Sequence, residues 1–252
     1  MFSGETRKAI LYIFGIGILI IVLYFIVTRI SESGFGALNN DPNKTYSAPP
    51  EFRLDLTKSY TAVINTSMGE IKYQLLAKNA PIAVNNFVFL AQDHYYDGVK
   101  FHRIIKDFII QSGSRLSLGD NPANYGLGGP GYKFQNEVNW QSLHLDENTI
   151  QNLVNQGYKT DPNVTSVTFE KYSLAMANAG PDTNGSQFFI VTTEPDNENV
   201  LALVGKYTIF GKIIAGQDVV DKINNVELVD GNTDAPRPKN PVIVKTITIS
   251  IN

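Results

Sequence analysis

The sequence predicts a mainly β fold, a closed β-barrel with helices over its ends, preceded by one transmembrane helix. About eight short segments rich in β-branched and aromatic residues are separated by polar or glycine-rich loops. Two longer segments in the same part of the chain have apolar residues at helical spacing. A continuous apolar run stands apart from these segments, near the N-terminus.

The N-terminal run AILYIFGIGILIIVLYFIV predicts an uncleaved membrane anchor over residues 9–28. It has about 19 uncharged residues, close to the roughly 20 that a helix needs to cross a bilayer, and it lacks the polar face of a buried core helix. Arg7 and Lys8 favour a cytoplasmic flank over residues 1–8, with the rest of the chain outside. A cleaved signal peptide is the alternative, but its apolar region usually has about 7–15 residues before a small-x-small cleavage site.

Residues 29–58 are predicted to form a flexible linker. They contain glycine, serine, asparagine and several prolines, and they show no sustained apolar period. The folded domain is therefore expected to begin at Ser59 and to occupy residues 59–252.

Within the domain, YTAVINTSMGEIKYQLL predicts two strands joined by a tight hairpin at Met68 and Gly69. The next segment, NAPIAVNNFVFLAQ, predicts a helix with Asn79 as its cap and Pro81 in its first turn. GQDVVDKINNV predicts a second helix. Further strands are predicted at residues 100–105, 108–112, 173–177, 187–193, 207–213 and 242–251.

The composition argues against several classes of function. The net charge is -3 and the basic residues are scattered, so a nucleic-acid-binding surface is not expected. The absence of cysteine excludes disulfides and thiolate nucleophiles, and 3 histidines are too few for a histidine-rich metal centre. The glycine-rich GLGGPG lacks the Lys-Ser/Thr of a phosphate-binding loop. We therefore expect no metal and no cofactor.

The densest functional signal is SLAMANAGPDTNGSQFFIVT. Its small side chains let the backbone of a ligand approach the backbone of the protein, which is how an extended peptide is often held. A second signal is Arg103 in the apolar stretch FHRIIKDFIIQSG, where an unpaired guanidinium would be costly. Taken alone, Arg103 would be interpreted as half of a structural ion pair.

Together, FHRIIKDFIIQSG, GGPGYKF, SLAMANAGPDTNGSQFFIVT and GKYTIFGKI resemble the successive signatures of cyclophilin-type peptidyl-prolyl isomerases. The resemblance runs in order from about Thr61 to Ile223, with a similar closing strand at residues 242–251. It implies a closed eight-stranded antiparallel barrel capped by two helices, in agreement with the fold predicted above. It also implies rotamase activity on X-Pro peptide bonds.

The resemblance places Arg103 in a groove for an X-Pro peptide on the outer face of the barrel, where Gln111 orients it. The rotation barrier of about 18–20 kcal/mol comes from C–N resonance. In the twisted transition state the prolyl nitrogen carries a localised lone pair, and a guanidinium N–H directed at it stabilises that state more than the planar one. Arg103, Gln111 and Phe108 are therefore the predicted catalytic residues.

The resemblance also implies a proline pocket, a neighbouring groove for the residue before proline, and a ring that closes the pocket. The pocket residues are Phe108, Ile109, Phe189 and Leu203, the groove residues are Ala177, Asn178 and Gln187, and the closing ring is Tyr207, where many members have histidine. The histidines of the chain are expected to be packed or surface residues without a catalytic role.

Two features depart from the family pattern. Ala202 stands where the family usually has a large aromatic residue at the pocket rim, so cyclosporin binding is expected to be weak. Residues 139–172 form an insertion roughly 20 residues longer than the usual connection, which we interpret as a tolerated surface extension in preference to a partner site. A short helix on the barrel is predicted in this insertion from Leu143, Leu145, Ile150, Leu153 and Val154.

Two functions stay open at this point. The favoured one is a membrane-tethered prolyl isomerase that assists the folding of proline-containing polypeptide clients outside the cytoplasm. The alternative is a tethered chaperone module that binds proline-containing segments with little turnover. The presence of Arg103 favours the enzyme.

Overall fold

The structure, a computed structural model, describes residues 41–229 and 235–252. The predicted cytoplasmic flank, the predicted membrane anchor and residues 29–40 of the predicted linker lie outside the described residues. Within the described part of the chain, no helix is both long enough and apolar enough to cross a membrane.

Eight strands form one sheet. They are β1 (Tyr60–Thr66), β2 (Gly69–Leu75), β3 (Arg103–Ile105), β4 (Ile109–Ser112), β5 (Leu174–Met176), β6 (Phe188–Val191), β7 (Ile209–Ala215) and β8 (Val244–Ile251). Their order across the sheet is β3-β4-β6-β5-β7-β2-β1-β8, and every pairing is antiparallel. The predicted strands are therefore confirmed, although several are shorter than expected.

The sheet curls but is not closed by a continuous ladder, so the predicted closed barrel is wrong in this respect. The edge strands β3 and β8 are linked just before they begin. The link is an isolated bridge between Lys100 and Ile243 and a hydrogen bond of 2.9 Å from the Phe101 N–H to the Val242 carbonyl oxygen. Pro241 directly precedes this link, and proline has no N–H to extend a ladder.

Four α-helices accompany the sheet: α1 (Pro81–Gln92), α2 (Glu147–Asn155), α3 (Glu198–Leu201) and α4 (Gln217–Asn224). Two 3-10 turns lie at Arg115–Leu118 and Pro122–Asn124. Helices α1 and α4 confirm the two predicted helices, and α2 confirms the short helix predicted in the insertion. Leu153 is buried in α2 as expected, but Val154 is 50% exposed, and the single turn of α3 was not predicted.

An aromatic core lies between α1 and the inner face of the sheet. The Phe87 ring centroid is 5.2 Å from that of Tyr96, 5.7 Å from that of Phe188 and 5.0 Å from that of Phe210, and all four rings are fully buried. Burying a large apolar side chain contributes about 1.5–3 kcal/mol, and a paired ring adds about 0.5–1.5 kcal/mol. This core fixes the strands whose opposite face carries the site.

The start of α1 differs from the prediction in one respect. Pro81 is in the first turn as expected, but the N-cap residue is Ala80, which offers no capping side chain. The predicted cap, Asn79, instead donates through Nδ2 to the Thr165 carbonyl oxygen at 2.7 Å. A side chain from outside the helix therefore has to satisfy its first N–H groups.

Glu137 supplies that cap. Its buried carboxyl group accepts hydrogen bonds from the N–H groups of Ile82 and Ala83, each at 2.8 Å. Burial raises the pKa of Glu137 from 4.5 to about 7, against the opposing effect of those two N–H groups, and the charge of nearby Asp161 raises it further. Glu137 is thus a buried carboxyl group that the fold keeps partly protonated near neutral pH.

The raised pKa of Glu137 predicts that stability depends on pH. Between pH 4.5 and about 7, the folded chain keeps a proton that the unfolded chain has lost. The contribution of Glu137 is therefore complete below the unfolded pKa and is lost as pH rises through the folded pKa, by about 3 kcal/mol. Between about pH 5 and about pH 7.5, a range that covers most of this change, the free energy of unfolding measured in urea should fall by about 2.4 kcal/mol more in the parent than in Glu137→Gln, which does not titrate.

Glu147→Gln provides the matched control, because Glu147 is an exposed carboxylate in the first turn of α2. This variant should keep the pH dependence of the parent. Equal pH dependence in the parent and in Glu137→Gln would contradict the assignment of the titration to Glu137.

Residues 41–58, here called the N-terminal strap, pack on the domain, so the flexible-linker prediction is wrong for this stretch. The Tyr46 ring lies among the rings of Phe89, Tyr95 and Tyr132, with centroid distances of 5.1, 6.0 and 6.2 Å. Its hydroxyl group donates to Asp93 Oδ2 at 2.6 Å. A few aromatic and polar residues without periodic spacing make these contacts, so sequence periodicity gave no sign of them.

The strap also supplies a partner to a buried cation. Arg115 is 1% exposed, and its Nε donates to the Asp41 carbonyl oxygen at 2.7 Å. Its Nη1 donates to the Tyr95 carbonyl oxygen at 2.8 Å. Because a buried guanidinium that loses an acceptor is costly, the strap is part of the stable fold.

A truncated chain that begins at Ser59 should therefore be less stable than one that begins at Asp41. The loss of the Tyr46 contacts and of the Asp41 acceptor should cost about 3 kcal/mol, which lowers Tm by roughly 5–10 °C for a domain of this size. Thermal unfolding followed by circular dichroism measures the difference. In the chain that begins at Asp41, Tyr46→Ala should reproduce part of the decrease in Tm, and Ser47→Ala, at an exposed position, should not. Equal Tm values for the two truncated chains would contradict the role of the strap.

Candidate active site

Strands β3, β4, β6 and β5 align one row of side chains across the outer face of the sheet. The register places Arg103 opposite Gln111, Gln111 opposite Phe189, and Phe189 opposite Ala175. Ile104, next to Arg103, points to the other face and is fully buried in the core. Because side chains alternate along a strand, the pattern that fills the core with Ile104 also turns Arg103 outward.

Hydrogen bonds connect the polar members of this row. Arg103 Nη1 donates to Gln111 Oε1 at 3.2 Å, and Gln111 Nε2 donates to Gln187 Oε1 at 2.9 Å. Gln187 Nε2 donates to the carbonyl oxygens of Gly126 and Gly128, both at 2.8 Å. The backbone of the glycine-rich loop thus orients the Gln187 amide, which in turn orients the Gln111 amide. The Gln111 amide holds the guanidinium. The predicted pairing of Gln111 with Arg103 is present in this geometry.

An apolar cluster lies beside the guanidinium on the same face of the sheet; we call it the outer apolar cluster. The Phe189 and Tyr207 rings meet edge to face within it, with centroids 5.5 Å apart. Every predicted pocket residue is in it. Its buried members are Ile109, Phe169, Ala175, Phe189, Val191, Val200 and Ile209, and its partly buried members include Phe108, Ala177, Leu203 and Tyr207.

A cavity of about 360 Å³ adjoins the row on the side of the glycine-rich loop. Gln111 and Gln187 line it, together with Ala177 and Asn178. The Asn178 side chain is held from behind, because its Nδ2 donates to the Lys206 carbonyl oxygen at 3.3 Å. The structure therefore brings the predicted groove residues together next to the predicted pocket, with Gln111 at the boundary.

Comparison with known proteins shows what this arrangement resembles. Residues 61–249 match the family described as cyclophilin type peptidyl-prolyl cis-trans isomerase/CLD. The chain belongs to this family. The predicted resemblance is thereby confirmed, and the chain is a cyclophilin-type isomerase.

Relatives of this cyclophilin include bacterial enzymes. Peptidyl-prolyl cis-trans isomerase A of Mycobacterium tuberculosis is 38% identical over 207 residues, which cover 75% of this chain and 92% of that protein. A peptidyl-prolyl cis-trans isomerase of Helicobacter pylori is 35% identical over 192 residues, which cover 75% of this chain and 94% of that protein. Both similarities span almost the whole length of the relative.

Solved structures of a Cryptosporidium parvum cyclophilin-type isomerase share the fold. One has a TM-score of 0.56 at 29% identity and covers 77% of this chain and 99% of that chain. A second, determined in the presence of the dipeptide Ala-Pro, has a TM-score of 0.55 at 29% identity. It covers 76% of this chain and 99% of that chain.

His102 of this cyclophilin, next to Arg103 in the chain, is buried. Neither of its ring nitrogens makes a hydrogen bond of normal geometry. Burial lowers the pKa of His102 to about 4; the Lys100 backbone and the Gln187 side chain oppose this effect and Arg103 adds to it. His102 is therefore neutral at physiological pH, as expected for a packed histidine.

Tyr207 is a titratable group of the outer apolar cluster. Burial raises its pKa above the usual value of 10.0, although the nearby charge of Arg103 acts in the opposite direction. Tyr207 therefore stays protonated at neutral pH and offers a ring and a hydroxyl group, with no negative charge beside Arg103. Within residues 41–229 and 235–252, no group of three or more acidic or histidine side chains is placed to hold a metal ion.

Several residues of the cluster were not predicted from the sequence, and two of them adjoin Phe189. Ala175 lies directly opposite Phe189 in the sheet. Phe169 stacks on Phe189 with a centroid distance of 6.3 Å and an interplanar angle of 23°. Phe169 comes from the insertion that was interpreted as a tolerated extension, and its place three residues after Ser166 in VTSVTFE gave no periodic signal.

Proposed function

We propose that this cyclophilin accelerates rotation about X-Pro bonds in extended peptide segments that lie across the outer face of the sheet. The prolyl ring packs on Phe189 within the outer apolar cluster. The residue before proline lies toward the adjoining cavity of about 360 Å³, lined by Asn178 and Gln187. The single observation that carries the proposal is the hydrogen bond by which Gln111 holds the Arg103 guanidinium. Gln111 lies directly opposite Phe189 on the neighbouring strand.

Arg103 acts on the prolyl nitrogen without forming a covalent bond. As the C–N bond twists, resonance is lost and the nitrogen lone pair becomes available to accept an N–H from the guanidinium. The planar ground state offers no such acceptor, so the interaction favours the transition state. A thousandfold acceleration needs about 4 kcal/mol, which a charge-assisted hydrogen bond and close packing together can supply.

Gln111 has a supporting role in this mechanism. Its amide is held by Gln187 on one side and accepts from Arg103 on the other. Because the chain of hydrogen bonds ends on two backbone carbonyl groups, the guanidinium is oriented before substrate binds. An oriented donor loses less freedom in the transition state than one on a mobile side chain, which is the general advantage of a preorganised site.

The alternative is a module that binds proline-containing segments with little turnover. A binding groove needs the apolar cluster and the adjoining cavity but has no need of a cation beside the prolyl nitrogen. The held guanidinium therefore supports an enzyme over a passive binder. The Ala-Pro dipeptide present with the Cryptosporidium parvum relative is consistent with an X-Pro ligand for this chain as well.

The place of action is a separate part of the proposal. The apolar run over residues 9–28, with Arg7 and Lys8 before it, supports a single membrane anchor with the isomerase domain outside the cytoplasm. Proline-containing polypeptides that fold there are then the clients. Extraction of membranes with carbonate tests this part, since an anchored chain stays in the pellet and a peripheral one is released.

Arg103→Ala should lower kcat/KM for an Ala-Pro tetrapeptide by about 100-fold or more, because the charge-assisted hydrogen bond is lost only from the transition state. Arg103→Lys should recover little activity, since lysine keeps the charge but lacks the planar group that Gln111 holds. Isomerase assays on each variant, with melting curves to show folding, measure the effect.

Lys106→Ala is the matched control, because it removes an exposed cation three residues from Arg103 and should leave kcat/KM unchanged.

His102→Gln should also stay active. The parent rate should be nearly constant from about pH 6 to 8, because His102 titrates well below this range. Full activity in a folded Arg103→Ala chain would exclude the proposed mechanism.

Ala202→Trp should strengthen cyclosporin binding. Ala202 follows the short helix α3 and is exposed, so the rim beside Leu203 lacks an aromatic contact. A buried aromatic contact at an interface is commonly worth about 1–3 kcal/mol, so affinity should rise roughly tenfold or more by calorimetry. Leu201→Trp, one residue away and also exposed, is the control; equal affinity of the parent and Ala202→Trp would refute the rim argument.

A further inference from the structure

We infer that the insertion, residues 139–172, is a supporting wall of the proline pocket, in which Phe169 and Trp140 are positioning residues. This inference rests on the proposed function for what the pocket does, but not for how the wall is built. It replaces the interpretation of the insertion as a tolerated surface extension. Two separate contacts and the closed construction of the insertion carry it.

The first contact is the Phe169 ring against the Phe189 ring. Phe169 is 5% exposed and lies nearly parallel to Phe189, at a centroid distance of 6.3 Å and an angle of 23°. Phe189 also meets the Tyr207 ring edge to face, with ring centroids 5.5 Å apart. The ring on which the substrate proline is proposed to pack is therefore in contact with one residue of the insertion and with one residue of the pocket rim.

The second contact holds the segment that leads to Tyr207. Trp140 Nε1–H donates to the Gly205 carbonyl oxygen at 3.0 Å in a buried setting. Leu153 of α2 lies so close to Gly205 that a Cβ atom there would be 2.6 Å from Leu153 Cδ1. The backbone at Gly205 also has φ +83, which favours glycine. The insertion thus packs directly on the backbone between Leu203 and Tyr207.

The insertion is built to hold a fixed position. The Asn139 N–H donates to Ser166 Oγ at 2.7 Å, and Asn139 Nδ2 donates to the Val164 carbonyl oxygen at 2.8 Å, which ties the two ends of the insertion together. Its small core contains Trp140, Leu153 and Tyr158, together with Val138 just before the insertion, and all four are buried. A surface extension without a structural role would need neither hydrogen bonds between its two ends nor a core that packs on the pocket.

The pocket rim explains why such support matters in this chain. Helix α3 has only one turn, and the residue after it, Ala202, is exposed. Val200 of α3 is buried in the outer apolar cluster, but the exposed Ala202 adds no large side chain to hold the segment that carries Leu203 and Tyr207. The contacts of Trp140 and Leu153 anchor it from behind.

The first test measures positioning in the free protein. Hydrogen exchange of the full chain, purified in a mild detergent, is compared by mass spectrometry for the parent, Phe169→Leu, Trp140→Phe and Val154→Ala. Trp140→Phe keeps a ring but removes the donor to Gly205, so peptides that cover residues 203–209 should exchange about tenfold faster. Phe169→Leu should speed exchange over residues 188–191, and Val154→Ala, half exposed on the same insertion, should match the parent.

The second test measures the pocket with an Ala-Pro tetrapeptide as substrate. Phe169→Leu should raise KM about fivefold with a smaller change in kcat, because the proline-binding ring is displaced while Arg103 is untouched. A merely structural role would lower Tm and leave KM unchanged.

Trp140 is the sole tryptophan of the chain, so its emission reports on the insertion without any substitution. Addition of a colourless Gly-Ala-Pro-Gly peptide to the parent should change that emission saturably.

The outcomes separate this inference from the proposed function. Parent-like exchange and a parent-like KM in Phe169→Leu would overturn the supporting wall. Faster exchange in the variants of a chain that shows no isomerase activity would uphold the wall and refute the proposed catalysis. If the variants do not fold, the fluorescence of the parent protein is the test. Constant Trp140 emission at saturating peptide overturns the inference, and a saturable change in emission supports it.

Discussion

The strand register is the constraint on which the rest of the site depends. A shift of one residue in β3 would turn Arg103 into the core and Ile104 outward, because side chains alternate between the faces of a strand. The core prevents this shift, since a buried unpaired guanidinium costs far more than an exposed isoleucine. The same register aligns Gln111 and Phe189 with Arg103, so packing on the inner face determines chemistry on the outer face.

The site is assembled in layers that have different tasks. The outer layer is the guanidinium and the rings that a substrate would touch. Behind it, two glutamine amides and the carbonyl groups of the glycine-rich loop fix the donor, at distances of 2.8–3.2 Å. The loop is held in turn by the N-terminal strap, because the Tyr46 N–H donates to the Pro130 carbonyl oxygen at 2.8 Å. A segment far from the groove in sequence is thus linked to Arg103 through the loop, Gln187 and Gln111.

The parts predicted from sequence were those with a local signature. Apolar alternation located the strands, and the motif around Arg103 located the outer row, since spacing of two residues fixes the face. The open edge between β3 and β8 was not predicted, because closure depends on how far the sheet curls and not on any one strand. The strap and Phe169 were missed for a related reason: their contacts join residues more than about 20 positions apart, and no periodic pattern marks such pairs.

Glu137 shows how the back of the site is tied together. Its carboxyl group caps α1, and its backbone N–H donates to Thr208 Oγ1 at 2.8 Å, directly after Tyr207. Two residues later, Asn139 begins the insertion that packs on Phe189 and Gly205. One short stretch of chain therefore links the helix over the core to the pocket wall. Because the carboxyl group in that stretch has a pKa of about 7, its titration changes the free energy of unfolding near neutral pH, whereas the permanently charged Arg103 does not titrate there.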